Sequence, residues 1–179
     1  MKNKKHILLI IFIFFIIAIM LYVISGLGNI SFTITKINFS RLMNKESIEN
    51  INLTIYYRHT NYLTLTPYDI DELVYGGSDN IISIPGSELK NYRNSLQTLS
   101  KTEVTPIEPQ TYFDAFVYYV FKNRNHKVFE VGMWGAGGSR YMIVNGIEVE
   151  ENEYFYDFVR QFLPEDAARQ LDIHIGRSE

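Results

Sequence analysis

Asp114 and Glu130 are the two acidic residues set inside apolar stretches of this sequence, Tyr112-Phe-Asp-Ala-Phe-Val-Tyr-Tyr-Val-Phe121 and Lys127-Val-Phe-Glu-Val-Gly-Met-Trp134. Two carboxyl groups facing each other across a cleft are the equipment of glycoside hydrolysis, one giving a proton while the other takes one or attacks. Strand residues can equally sit on a solvated sheet face, so the pair defines an alternative, a surface hydrolase. Other nucleophilic chemistry has no residues to carry it. The chain holds no cysteine, and Ser139, in Gly137-Gly-Ser-Arg140, lacks the G-x-S-x-G elbow that exposes a serine. The glycines of 132–138 lack the order of a phosphate loop. They also fall between two strand-like stretches, so no helix N-terminus points at an anion there.

Metal chemistry is equally poorly served. His6, His59, His126 and His174 are scattered without ligand spacing. Glu148, Glu150, Glu151 and Glu153 cluster around Asn152, but the EF-hand order is absent and carboxylates at a helix start suit the positive end of the helix dipole. Neither metal nor cofactor is expected. Binding gives a sharper expectation. Trp134, the sole tryptophan, precedes a glycine-rich loop, with Arg140 and Tyr141 just beyond it. Trp, Tyr and Arg are the residue types enriched where binding energy concentrates, so these three form the candidate binding site for a protein or peptide partner. In the rival reading Trp134 packs beneath the terminal helix. An uncovered edge at 147–150 would offer a second mode, capture of an extended peptide.

The elements that must position these residues follow from pattern and punctuation. Ile51-Asn-Leu-Thr-Ile-Tyr-Tyr57 alternates, with Ile51, Leu53 and Ile55 on one face, and is expected to form a hairpin with Tyr62–Thr66. Thr66-Pro67 reads as a helix start, and the helix carries Ile70, Leu73 and Val74 to Gly76-Gly77. Asn80–Ile84 is a short strand ended by Pro85-Gly86. Ser87 then caps a helix whose Leu89, Tyr92, Leu96 and Leu99 share a stripe. Residues 112–121 are apolar on both faces, as in a central strand. Turns at 123–126, at 135–139 and at Asn145-Gly146, the strongest two-residue hairpin signal, join four strands into a meander. In the second of these, Phe129, Val131 and Met133 oppose Val128, Glu130 and Trp134. A helix from about Asn152 places Phe155, Phe158, Val159 and Phe162 at helical spacing, and Pro164 opens a last helix through Leu171. The order predicts an α+β domain, an antiparallel sheet with helices packed on one face.

The overall charge of −3 conceals a division. Residues 1–28 carry Lys2, Lys4 and Lys5 and no acid, while the remaining 14 basic and 20 acidic residues give −6. No basic face remains for nucleic acid. Ile7 to Ile24 is an unbroken run of 18 apolar residues, 15 of them Leu, Ile, Phe or Val. Extended through Leu27, it spans roughly 30 Å as a helix, a bilayer core. The lysines before it belong on the cytoplasmic side. Only Ser25, Gly26 and Gly28 offer a signal-peptidase site, and with no cysteine there is no lipid attachment, so an uncleaved signal-anchor is expected rather than cleavage near 25–28. The predicted organisation is a cytoplasmic tail at 1–6, a single-pass transmembrane helix at 7–27, a stalk or first strand at 28–50 and an extracytoplasmic α+β domain at 51–179. Within the stalk, residues 31–39 alternate loosely enough to be a strand.

Phe129-Glu-Val-Gly-Met-Trp-Gly135, Tyr141-Met-Ile-Val-Asn-Gly-Ile-Glu-Val149 and Phe162-Leu-Pro164 together resemble the C-terminal half of small secreted or membrane-anchored proteins of unknown function from Clostridium-like bacteria. The resemblance covers 80–100 residues. It implies a bacterial cell-surface setting and no catalytic residues, and this chain departs from the lipoproteins among them in having no cysteine. The expectation is a membrane-anchored, non-catalytic binding protein facing outward. The alternatives are an immunity or inhibitor protein of the cell envelope and the surface hydrolase.

Overall fold

Every residue from Ala115 to Phe121 is buried, which places this strand inside the protein on both of its faces. The computed structural model describes residues 13–21, 48–58, 69–76, 80–109, 115–136 and 139–177. The chain divides into two units, Met1–Ile37 and Asn38–Glu179. In the second, a 3₁₀ turn at Ile48–Asn50 leads into β1 (Ile51–Tyr57), then α1 (Ile70–Tyr75), β2 (Ile81–Ile84), α2 (Gly86–Leu89) and α3 (Arg93–Lys101). β3 (Ala115–Asn123), β4 (His126–Ala136), β5 (Ser139–Val144) and β6 (Ile147–Val149) follow, then α4 (Glu153–Arg160) and α5 (Glu165–His174). All strand pairings are antiparallel, and the six strands lie in the order β2-β1-β3-β4-β5-β6. The fold is α+β.

The meander β3–β6 forms as its turn residues dictate. Asn145 and Gly146 both adopt positive φ, 52° and 79°. That is the geometry of the tight hairpin turn whose twist matches the flanking strands. β1 departs from expectation. Both of its edges are occupied, one by β2 and the other by β3, whereas the local pattern predicted a hairpin with Tyr62–Thr66. Those residues lie outside the described ones, as do 31–39.

The two sheet faces are covered differently. On the first, Leu53, Ile55, Val117, Tyr119, Phe121, Val131, Met133, Met142 and Val149 join Leu89, Leu96 and Leu99 from the middle helices and Phe155, Phe158, Val159 and Leu171 from the last two. Tyr119 binds this face together: fully buried, it donates its hydroxyl to Phe155 O at 3.4 Å and stands 5.7 Å from the Phe158 ring. The second face carries a smaller cluster, Ala115, Tyr118 and Val120 beneath Leu73, with Ile70, Val74 and Tyr56 packed around it. Helices therefore cover both faces, and the expectation of one helical face is corrected. A helix of six residues has an apolar stripe but no sequence signal for the side it docks on.

Helix starts also differ in detail. Asp69, not Thr66, caps α1 through a reciprocal capping box: Glu72 N–H donates to Asp69 Oδ1 at 2.7 Å and Asp69 N–H to Glu72 Oε2 at 3.0 Å. Pro85, not Ser87, precedes α2, whose first residue is Gly86. A Cβ on Gly86 would lie 2.2 Å from Ile48 O, so the helix begins where its backbone presses against the 3₁₀ turn. Asn152 caps α4 as its residue type predicts, accepting from Tyr154 N–H at 3.0 Å.

In the first unit, residues 13–21 are helical and every one is exposed. Phe14, Phe15, Met20 and Leu21 are each more than 60% accessible. Among the described residues no helix is long and apolar enough to cross a membrane. The rest of the apolar run, Ile7 to Phe12 and Tyr22 to Leu27, lies outside them.

Candidate functional site

The register gathers Glu130 of one sequence reading and Trp134 and Tyr141 of the other on the second sheet face. Val120 pairs with Glu130, Tyr118 with Gly132, Gly132 with Ile143, and Trp134 with Tyr141. Side chains two apart on one strand share a face, so Glu130, Gly132 and Trp134 stand beside Tyr118 and Tyr141. Val128 does not join them. It packs against the main core, across an irregularity in the β3–β4 ladder between Phe121 and Lys122.

Glu130 is the polar centre of this face. Its Oε2 accepts a short hydrogen bond from the Tyr118 hydroxyl and another from Lys127 Nζ at 2.7 Å. Tyr118 is the diagonal neighbour of Glu130 across the β3–β4 pair, within reach of a long side chain. The Glu130 side chain is 15% exposed and Lys127 55%, so the carboxylate is held at the border of the packed region with its countercharge in solvent. The backbone of Glu130 is fixed as well: its N–H donates to Asn145 Oδ1 and its carbonyl accepts from Asn145 N–H, both at 3.0 Å. Burial, and then the Glu130 carboxylate, push the Tyr118 phenol well above its ordinary value. The ring of Tyr56 lies 5.9 Å from that of Tyr118, extending the aromatic surface onto β1.

Trp134 is 5% exposed. A Cβ at position 132 would meet its ring at 2.8 Å and Ile70 Cδ1 at 2.9 Å. The glycine thus forms a floor on which the indole and the first turn of α1 both rest. The terminal helix packs on the opposite face, so the rival placement of Trp134 beneath it is corrected. Tyr141 is half-buried opposite Trp134. Arg140 is placed by its backbone pairing with Gly135. Asp114 and the loop at 137–138 lie outside the described residues. Ser139 opens β5, paired with Ala136.

Of three further participants, two escape a reading by sequence. Tyr118 looks like any residue of an apolar strand, and only register sets it diagonal to Glu130. Lys127, three residues before Glu130, was the one legible signal. Tyr75 ends α1 with 82% of its surface accessible, an aromatic left out of the core that the pattern of Ile70, Leu73 and Val74 did not single out.

A second concave feature, a depression of about 910 Å³ between α4 and α5, is lined by Arg160, Asp166, Arg169, Asp172 and Arg177 among others. Two of its cations are engaged within the fold. Arg160 grips both oxygens of Asp172 at 2.7–3.0 Å, and Arg177 reaches Asp157 at 2.5 Å and Glu153 at 3.4 Å. Its charges fasten helices. Among the described residues no three His, Asp or Glu side chains converge as a metal site. In comparisons with protein-family models, curated proteins and solved structures, the chain matches none.

Proposed function

We propose that this chain is a single-pass membrane-anchored protein whose extracytoplasmic α+β domain binds a protein or peptide partner and catalyses nothing. The observation that carries the anchor is the run of 18 apolar residues behind three lysines. Its insertion is favoured by several kcal/mol at about −0.3 to −0.6 kcal/mol per Leu, Ile, Phe or Val near the membrane centre. The exposure of every residue at 13–21 supports it, since a helix that shows eight large apolar side chains and no polar face suits a lipid environment. Non-catalytic binding is supported by Glu130. The carboxylate that a hydrolase would use is occupied by a phenol and an ammonium and serves to hold adjacent strands in place.

Membrane fractionation tests the anchor. Full-length protein should stay with membranes through salt and alkaline washes, and its C-terminal domain should be cut by protease added from outside. Recovery of the full-length chain in a salt-washed soluble fraction would overturn the reading. For the binding half, Tyr75 is exposed and Tyr141 half-buried around the second face. Replacing both by alanine should weaken capture of the native membrane partner by roughly tenfold or more, as for aromatic anchors in interfaces.

A further inference from the structure

We propose that β2 is a self-association edge, whose outer side pairs antiparallel with β2 of a second copy of this chain about a two-fold axis. This rests on the sheet topology and is independent of the membrane anchor. The two ends of the sheet are treated differently. Beyond β6, residues 104–108 run as a strap: Ile107 N–H donates to Glu148 O at 3.0 Å and Glu150 N–H to Thr105 O at 2.8 Å, while Pro106 bridges Val149. This pattern turns the hydrogen-bonding groups of Thr105 and Ile107 inward and those of residue 106 outward. Residue 106 is proline, so the outward side lacks the donor a further strand would need. The expected peptide-capturing edge at 147–150 is therefore already covered, and its cover is itself blocked.

At the other end β2 is the outermost of the described strands. Among the described residues no backbone hydrogen bond outside the strand ladders reaches Ile81–Ile84. Natural sheets defend a free edge by keeping it short or with lysine, proline, a bulge or a covering segment, and among the described residues β2, at four residues, has only the first of these. The sequence Ile81-Ile-Ser-Ile84 has neither charge nor proline. It is also self-complementary. Antiparallel pairing centred on Ile82 sets that residue beside its own copy on the main-core face, where it is already partly buried. The same register sets Ile81, 40% exposed, beside the partner copy's serine at position 83 on the other face. No like charges meet, and a two-fold contact of one patch with itself closes at the dimer.

The absence of cysteine allows a direct test on the purified full-length chain in detergent. Directly opposed antiparallel residues stand about 4.5–5.5 Å apart at Cα, within disulfide reach. Under mild oxidation Ile82→Cys should form a covalent dimer about tenfold more than Thr105→Cys, an exposed position on the blocked edge. A mixture of Ile81→Cys and Ser83→Cys chains should cross-link to each other in preference to themselves, which reads the register. Adding Ser83→Lys to the Ile82→Cys chain should remove the dimer while the circular dichroism of the fold is unchanged. Equal cross-linking at Thr105, or a dimer at Ile82 without the mixed-pair preference, overturns the proposal. So does the lack of any trapped dimer, which would leave the edge to a foreign strand or to residues 62–66 of the same chain.

Discussion

Glu130 shows how one side chain can look like a catalyst in a sequence and act as a fastener in a structure. An acid amid Val, Phe and Met invites a mechanism because burying a carboxylate is costly unless something compensates. The compensation comes from a strand neighbour and a solvent-facing lysine. Glu130→Ala would strand the hydroxyl of Tyr118, a residue only 8% exposed, without its acceptor. The expected loss is about 1–3 kcal/mol, measured by urea unfolding with an unchanged slope. Glu130→Gln keeps an acceptor and gives up only a pairing with an exposed lysine, so it should cost under about 1 kcal/mol. Base provides a second measurement. The phenols of Tyr118 and Tyr119 are both raised, chiefly by burial, while in the unfolded chain tyrosines ionise near pH 10. The folded state therefore keeps protons that the unfolded state releases. The stability held by the neutral phenols is intact below about pH 10 and is lost as the pH rises beyond it. Tyrosinate absorbance should climb in two stages, the later one coinciding with loss of secondary structure. A single smooth titration preceding any unfolding would contradict the burial of these rings.

At the scale of elements, two glycines decide positions that propensity alone would assign otherwise. Gly86→Ala should gain up to about 1 kcal/mol of helix propensity. The new methyl, however, would lie 2.2 Å from Ile48 O and 2.6 Å from the Glu49 carbonyl carbon, backbone atoms that cannot step aside. The net loss should be about 2–3 kcal/mol by thermal unfolding. At Gly132 the obstructing atoms are the side chains of Trp134 and Ile70, which can give way, so Gly132→Ala should cost less and should loosen α1 in particular. Loss of the capping box through Asp69→Ala should act on the same helix by about 1 kcal/mol. These cases mark where sequence is readable. Strands 51–57 and 81–84, the Asn145-Gly146 turn and the stripe Phe155, Phe158, Val159 were legible because a period of two, a turn dipeptide and a period near four are local facts. The partners of β1, the docking side of α1 and the strap at 104–108 were not. Each depends on residues between 25 and 72 positions away, and Pro106 argues locally against any strand.

For the whole molecule, the C-terminal fastening reaches experiment. The Asp172 carboxyl is held below the usual carboxylate range, first by its hydrogen bonds to Arg160. Its contribution is present above the unfolded value near pH 4 and is lost as the pH falls through the folded one. Asp172→Asn should therefore lower the neutral plateau slightly, by under about 1 kcal/mol for a surface pair, and leave stability at the acid end unchanged, so that the acid limb is flatter. Strand order has a further bearing on synthesis. β3 to β6 follow one another along the chain and sit side by side, so this meander can close by short loops. β1, made more than 50 residues earlier, must wait for β3 before it gains its longer partner, and the main core waits longer still for α4 and α5. A ribosome delivering this chain N-terminus first thus releases the apolar run at 7–24 early, while the remainder has little to fold upon until its last residues emerge. On the topology proposed above, such a domain would cross a narrow channel as an extended thread and take its shape on the far side.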